Sequence, residues 1–131
     1  MQSFFFRTML AIAVAFALGS LSCASVPPPV PEDASARTII QRAQERYDLY
    51  DLKGARYYYT LLLERYGSDP DIVLNATYEL AFIDYKEGRK TKAIEGFRKV
   101  VARYEEADAA TLDPTWKALA EMMLKKLGAA H

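Results

Sequence analysis

Residues 76–104 read ATYELAFIDYKEGRKTKAIEGFRKVVARY. Tyr78, Ala81, Phe82 and Tyr85 recur at three- and four-residue steps before Gly88, and Ala93, Phe97, Val100, Val101 and Tyr104 do so after it. Each set is the apolar stripe of a helix that buries one face. The glycine between them is a helix stop. The same arrangement stands 38 residues earlier: Ala43, Tyr47, Ala55, Tyr59, Arg65 and Tyr66 correspond to Ala81, Tyr85, Ala93, Phe97, Arg103 and Tyr104. Leu62 and Leu63 correspond to Val100 and Val101. A fixed period of this size marks stacked helix pairs, each unable to cover its apolar face alone. Such stacks bind other chains far more often than they do chemistry.

Working outward, the periodicity predicts five helices, over about 34–51, 53–66, 70–86, 90–104 and 115–127, and no strand. Ser35 suits an N-cap. Asp69-Pro70 and Asp113-Pro114 each place a capping carboxylate before a proline at the first helical position. Gly67, Gly88 and Gly128 are the expected stops. Alanines 43, 55, 81 and 93 are expected where the helices of a pair cross, since larger side chains there would force them apart.

Paired helices with small residues at these places resemble tetratricopeptide repeats. Leu80-Ala81, Gly88, Ala93 and Phe97 carry the likeness in the second pair. Ala43, Ala55 and Tyr59 carry it in the first, where Arg42 stands at the usual leucine position and is expected in solvent. Trp116 with Leu119-Ala120 looks like the start of a further repeat. The resemblance implies an all-α solenoid of two tetratricopeptide-type pairs and a capping helix. Residues 76–104, with LLERYGSDP shortly before, are similar to the repeats of the outer-membrane assembly lipoproteins (BamD-like, YfiO-like) and of the cell-division coordinators (CpoB-like).

The N-terminus supports export. Arg7 is followed by the apolar run TMLAIAVAFAL over residues 8–18, of signal-peptide length and shorter than the ~20 residues of a membrane span. The next stretch resembles a bacterial lipobox ending at Cys23, with small Ser22 before it. The resemblance implies a signal over 1–22, a lipidated Cys23, and a proline-rich linker over 23–33 that spaces a helical domain, 34–131, from a membrane. An ordinary signal cut after Ala24 and an uncleaved anchor are the alternatives. Ala24 is not the Asp that holds enteric lipoproteins in the inner membrane, which favours the outer membrane.

Composition narrows the function. The 17 Lys and Arg balance the 17 Asp and Glu, leaving no basic excess for a phosphate backbone, so no nucleic acid is expected. With one cysteine and one histidine, His131, a His/Cys metal site is ruled out by count. No nucleophile–base pair or glycine-rich phosphate loop appears, so neither catalysis nor a cofactor is expected. In tetratricopeptide arrays the first helices of successive pairs line a groove. That resemblance places Ile40, Gln44, Tyr47 and Asp48 there from the first pair, and Asn75, Tyr78, Phe82, Tyr85 and Lys86 from the second. Lys117, Glu121 and Leu124 would extend it. Four of these twelve side chains are aromatic, as in peptide-binding hot spots. Equally, Tyr47, Tyr78 and Tyr85 could pack inward as core. Ile40 and Phe82 occupy positions where a peptide-carboxylate clamp would want Lys and Asn. The expected role is a lipid-anchored adaptor binding envelope proteins, alone or as an oligomer or larger assembly. A ligand-handling accessory to a periplasmic transporter, or a periplasmic coordinator without lipid, are the other readings.

Overall fold

The computed structural model describes residues 27–106 and 109–129. The expected signal segment and Cys23 lie outside them. Among the described residues the chain is all helical, with no strand. Five α-helices follow one another: α1 Ala36–Asp48, α2 Leu52–Tyr66, α3 Pro70–Lys86, α4 Lys90–Ala102 and α5 Pro114–Lys126. Short 3₁₀ turns at Arg103–Glu105 and Ala109–Thr111 bridge α4 to α5.

Local chemistry sets the boundaries. Ser35 Oγ accepts from the Thr38 N–H at 3.2 Å, so α1 starts at Ala36, two residues later than expected. Asp51 belongs to neither neighbouring helix interior; its Oδ1 accepts from the Gly54 N–H at 2.9 Å and caps α2. Asp69 and Asp113 cap α3 and α5 ahead of their prolines. The α-helical part of α4 stops at Ala102, because the last expected turn tightens to 3₁₀. Gly67 ends α2 as expected, in a right-handed conformation at φ −65°.

The two turns inside the pairs are built alike. After α1, the Asp51 N–H reaches Arg46 O and the Tyr50 N–H reaches Tyr47 O. After α3, the Arg89 N–H reaches Asp84 O and the Gly88 N–H reaches Tyr85 O. Both are Schellman closures, which put one residue in the left-handed region. That residue is Gly88 at φ 75° in one and Tyr50 at φ 59° in the other. A side chain crosses each turn as well, with the charges reversed: Arg46 pairs with Asp51 at 3.6 Å, Asp84 with Arg89 at 2.8 Å.

α1 packs on α2, α3 on α4, α2 on α3 and α4 on α5. The core has two parts joined by α3. Ala76 and Ile83 of α3 meet Ile39, Ala43, Ala55, Tyr58, Tyr59 and Leu62 of the first pair. Leu74, Tyr78 and Ala81 meet Ala93, Phe97, Val100, Ala120 and Met123. All four crossing alanines are buried. The second pair closes on a residue that the sequence reading passed over: a Cβ at Gly96 would lie 2.5 Å from the Ala81 Cβ. Arg56 of α2 ties the two pairs together through Asp84 at 2.7 Å and Glu87 at 2.8 Å. Arg42 is exposed, as expected, beside Glu45.

Residues 28–33 of the expected spacer, together with Ala34, lie against α2. The Tyr58 hydroxyl donates to Pro28 O at 2.7 Å and the Tyr66 hydroxyl to Ala34 O at 2.8 Å. The Arg65 guanidinium donates to Val30 O and Pro31 O, at 3.4 and 2.7 Å. Proline carbonyls are good acceptors with no N–H of their own to satisfy, so a proline-rich segment suits this docking.

Candidate functional site

Where α1 and α3 face each other over α2, the surface opens into a cavity of about 370 Å³. Gln44, Tyr47 and Asp48 come from α1, Tyr59 from α2, and Tyr78, Glu79 and Phe82 from α3. The spacing explains the convergence: 44, 47 and 48, like 78, 79 and 82, share one face of their helices. Exposed Gln44 and Asp48 form the rim. Tyr59, 2 % exposed, and Tyr78, 7 % exposed, form the floor.

The rings make one continuous array. Phe82 stacks on Tyr78 at 6.1 Å and meets Tyr47 at 6.2 Å and Tyr85 at 5.8 Å. Tyr78 continues inward to Phe97 at 5.4 Å and Trp116 at 5.6 Å. The Lys86 ammonium lies 5.6 Å from the Phe82 ring centre, a cation–π contact.

Glu79 is the charged group of the floor. Burial pushes its carboxyl up to about 7. Tyr78 is pushed up to about 12, first by burial and then by Glu79 and Tyr47. Tyr59 is raised by the same causes, burial first, with Glu79, Tyr47 and Asp48 adding. The phenols of Tyr59 and Tyr78 and the Glu79 carboxyl therefore share one weakly solvated floor, with the Tyr47 phenol and the Asp48 carboxylate at its solvent edge. It offers hydrogen-bond acceptors, ring faces and, near neutral pH, a carboxyl on the edge of ionising.

Five of the nine residues expected to form a groove line this cavity: Gln44, Tyr47, Asp48, Tyr78 and Phe82. The other four do not. Ile40 packs against the first core. Asn75 lies one turn before Glu79 on α3, its Oδ1 buried without a hydrogen-bond partner. Tyr85 packs toward α5, with the Lys126 ammonium 5.1 Å from its ring centre. Lys86 stays at the surface against Phe82. The extension along α5 does not form: Leu124 is buried in the second core, and Lys117 faces Glu121 at 4.0 Å. Two lining residues were not expected. Tyr59 was placed in the core, where most of its ring does lie. Glu79 went unread, although it sits between Ala76 and Ile83, both fully buried. A charge bracketed by apolar residues at three and four positions is the signal that could have found it. Among the described residues, no group of three or more His, Cys, Asp or Glu side chains is placed to hold a metal ion. Nor is any helix among them long and apolar enough to cross a membrane.

The chain is 32% identical over 108 residues to an uncharacterized protein of Treponema pallidum (strain Nichols). The match covers 81% of this chain and 43% of that protein, so the chain spans less than half the length of the relative. No family model matches the chain. No solved structure matches it.

Proposed function

We propose that the helices form two tetratricopeptide-type pairs, with α5 covering the open face of the second, and that the chain is an adaptor of the bacterial envelope. It binds a protein partner at the cavity between α1 and α3. The observation that carries this reading is the cavity itself. Tyr47 and Phe82 stay partly solvated beside Asp48 and Glu79 instead of closing into the core. Partly exposed aromatics beside polar groups are what binding surfaces use, and among the described residues the ring contacts centre on this array.

In this reading Cys23 carries the lipid and the protein works at the periplasmic face of the outer membrane. The docked linker supports a close tether. Only four residues lie between Cys23 and Pro28, and the five residue steps give a reach of roughly 18 Å at most. The α2 side would then face the membrane, and the cavity would stay open to partners.

A photocrosslinker at Gln44 and, as control, at Glu95 on the opposite side tests the adaptor reading in intact cells. A discrete envelope protein captured from position 44 and not from 95 is the expected result; equal or absent capture at both removes the cavity as the partner site. Palmitate labelling tests the anchor separately, since Cys23→Ser should abolish it.

A further inference from the structure

The side chains lining the cavity comprise four aromatic rings, two carboxylates, one amide and no cation. That is a biased set for a chain whose formal charge is zero. Ring faces and carboxylates both attract positive charge, and a tight group of carboxylates and ring faces repels itself where no basic side chain lies among them. Among the described residues Glu79 has no hydrogen bond or ion pair, so its partial burial goes uncompensated. The chain already shows which chemistry suits the array, because the Lys86 ammonium rests against Phe82 at the edge.

We propose that the cavity receives a basic side chain, lysine or arginine, from the partner polypeptide. The proposal rests on the adaptor reading and names what the partner presents. The size fits: about 370 Å³ is near the lower end of ligand sites, enough for one extended side chain and too small for a helix. Gln44 and Asp48 at the rim meet the incoming stem, while Tyr47, Tyr59, Tyr78 and Phe82 surround the charge and Glu79 faces it from the floor. A lysine or arginine tip gives Glu79 the counter-ion it lacks. Because Glu79 must lose its proton to do so, affinity rises with pH through about 7. Of the other groups facing it, Asp48 and the phenols of Tyr47, Tyr59 and Tyr78 add negative charge or acceptors, and Lys86 competes from the edge.

Titration calorimetry of the full chain tests this with four probes: a Gly/Ser peptide carrying one central lysine, the same peptide with the lysine acetylated, the same with glutamate, and free butylammonium. Trp116, 5.6 Å from Tyr78, provides a fluorescence readout of the same event. The lysine peptide should bind, about 10-fold or more tightly than the acetylated and glutamate forms, and more tightly at pH 8 than at pH 6. Glu79→Gln and Asp48→Asn should each weaken it, and Glu79→Gln should also flatten the pH dependence. Both variants keep the size of the side chain, and circular dichroism verifies folding. Equal binding of the lysine and acetyl-lysine peptides, or an unaltered Glu79→Gln titration, overturns the proposal. Butylammonium binding as tightly as the peptide overturns the polypeptide occupant in favour of a free amine. If position 44 captures a partner while the lysine peptide fails, the adaptor reading stands and the basic occupant falls.

Discussion

The two helix pairs share a register of 38 residues and treat the same position in opposite ways. Where the first pair has Tyr58, the second has Gly96. Tyr58 is 1 % exposed and reaches past α2 to hold the incoming chain at Pro28. Gly96 holds nothing; its missing side chain lets α4 settle directly on Ala81. The first pair thus takes its cover from residues 28–34, and the second takes it from α5, whose Ala120 and Met123 lie in the core with Phe97. Both covers serve the same need, because a helix pair requires its apolar face covered and does not specify by what. Tyr66 and Tyr104 show the same economy. Both hydroxyls hold a carbonyl at the start of a helix, Ala34 before α1 and Asp113 before α5.

Breaking the comparison at its centre should have the largest effect. Tyr58→Ala removes a fully buried ring and the linker contact together, and should cost about 3–4 kcal/mol in denaturant unfolding. Tyr58→Phe, which keeps the ring, should cost only about 1 kcal/mol, and the difference measures the packing share. If the two cost the same, the linker bond and not the ring holds the first pair closed.

The seam between the pairs should respond to pH. The Glu79 carboxyl titrates near 7 when folded and near 4.5 otherwise, so the folded state binds the extra proton between those values. Stability therefore falls as pH rises from about 4.5 to about 7 and then levels off. Glu79→Gln should remove that slope and raise stability at pH 8 by about 2–3 kcal/mol, read from melting curves at pH 5 and pH 8. An unchanged slope would place the titrating group elsewhere.

Gly96→Leu tests the second pair. Its Cβ would meet the Ala81 side chain and backbone, so a loss of about 1–3 kcal/mol is expected, with altered near-ultraviolet dichroism from Trp116. The smallest effects should come from the turns. Tyr50, 72 % exposed, occupies the left-handed conformation that Gly88 adopts in the second pair. Tyr50→Gly should stabilise by about 0.5–1 kcal/mol, and Gly88→Tyr should destabilise by about 1 kcal/mol. Together they would show that the turns are interchangeable in shape and unequal only in strain.

Much of this is legible in the sequence. The caps at Ser35, Asp69 and Asp113 and the stop at Gly88 lie where their chemistry requires. α3 was legible end to end, Pro70–Lys86, because a capping aspartate and proline precede it and a glycine follows. The candidate site was half legible. Residues 44, 47, 48, 78 and 82 follow from helical spacing and the groove resemblance. Glu79 does not, because a glutamate in a helix is exposed unless tertiary neighbours cover it. Tyr85, open between groove and core in the sequence, is settled by tertiary packing: two faces of α3 are apolar, and only the packing of α5 decides which one takes the ring.

Sequence alone marked the five helices, the caps at Ser35, Asp69 and Asp113, and the alanines at the crossings, since each depends on neighbours a few positions away or on a fixed spacing. Tertiary structure decided what covers each pair, that residues 28–34 fold back onto α2, and that Glu79 ends up in a ring-lined cavity near its neutral point. These outcomes depend on surfaces tens of residues apart in the chain. Desolvation and close approach belong to the assembled helices, and no local pattern records them.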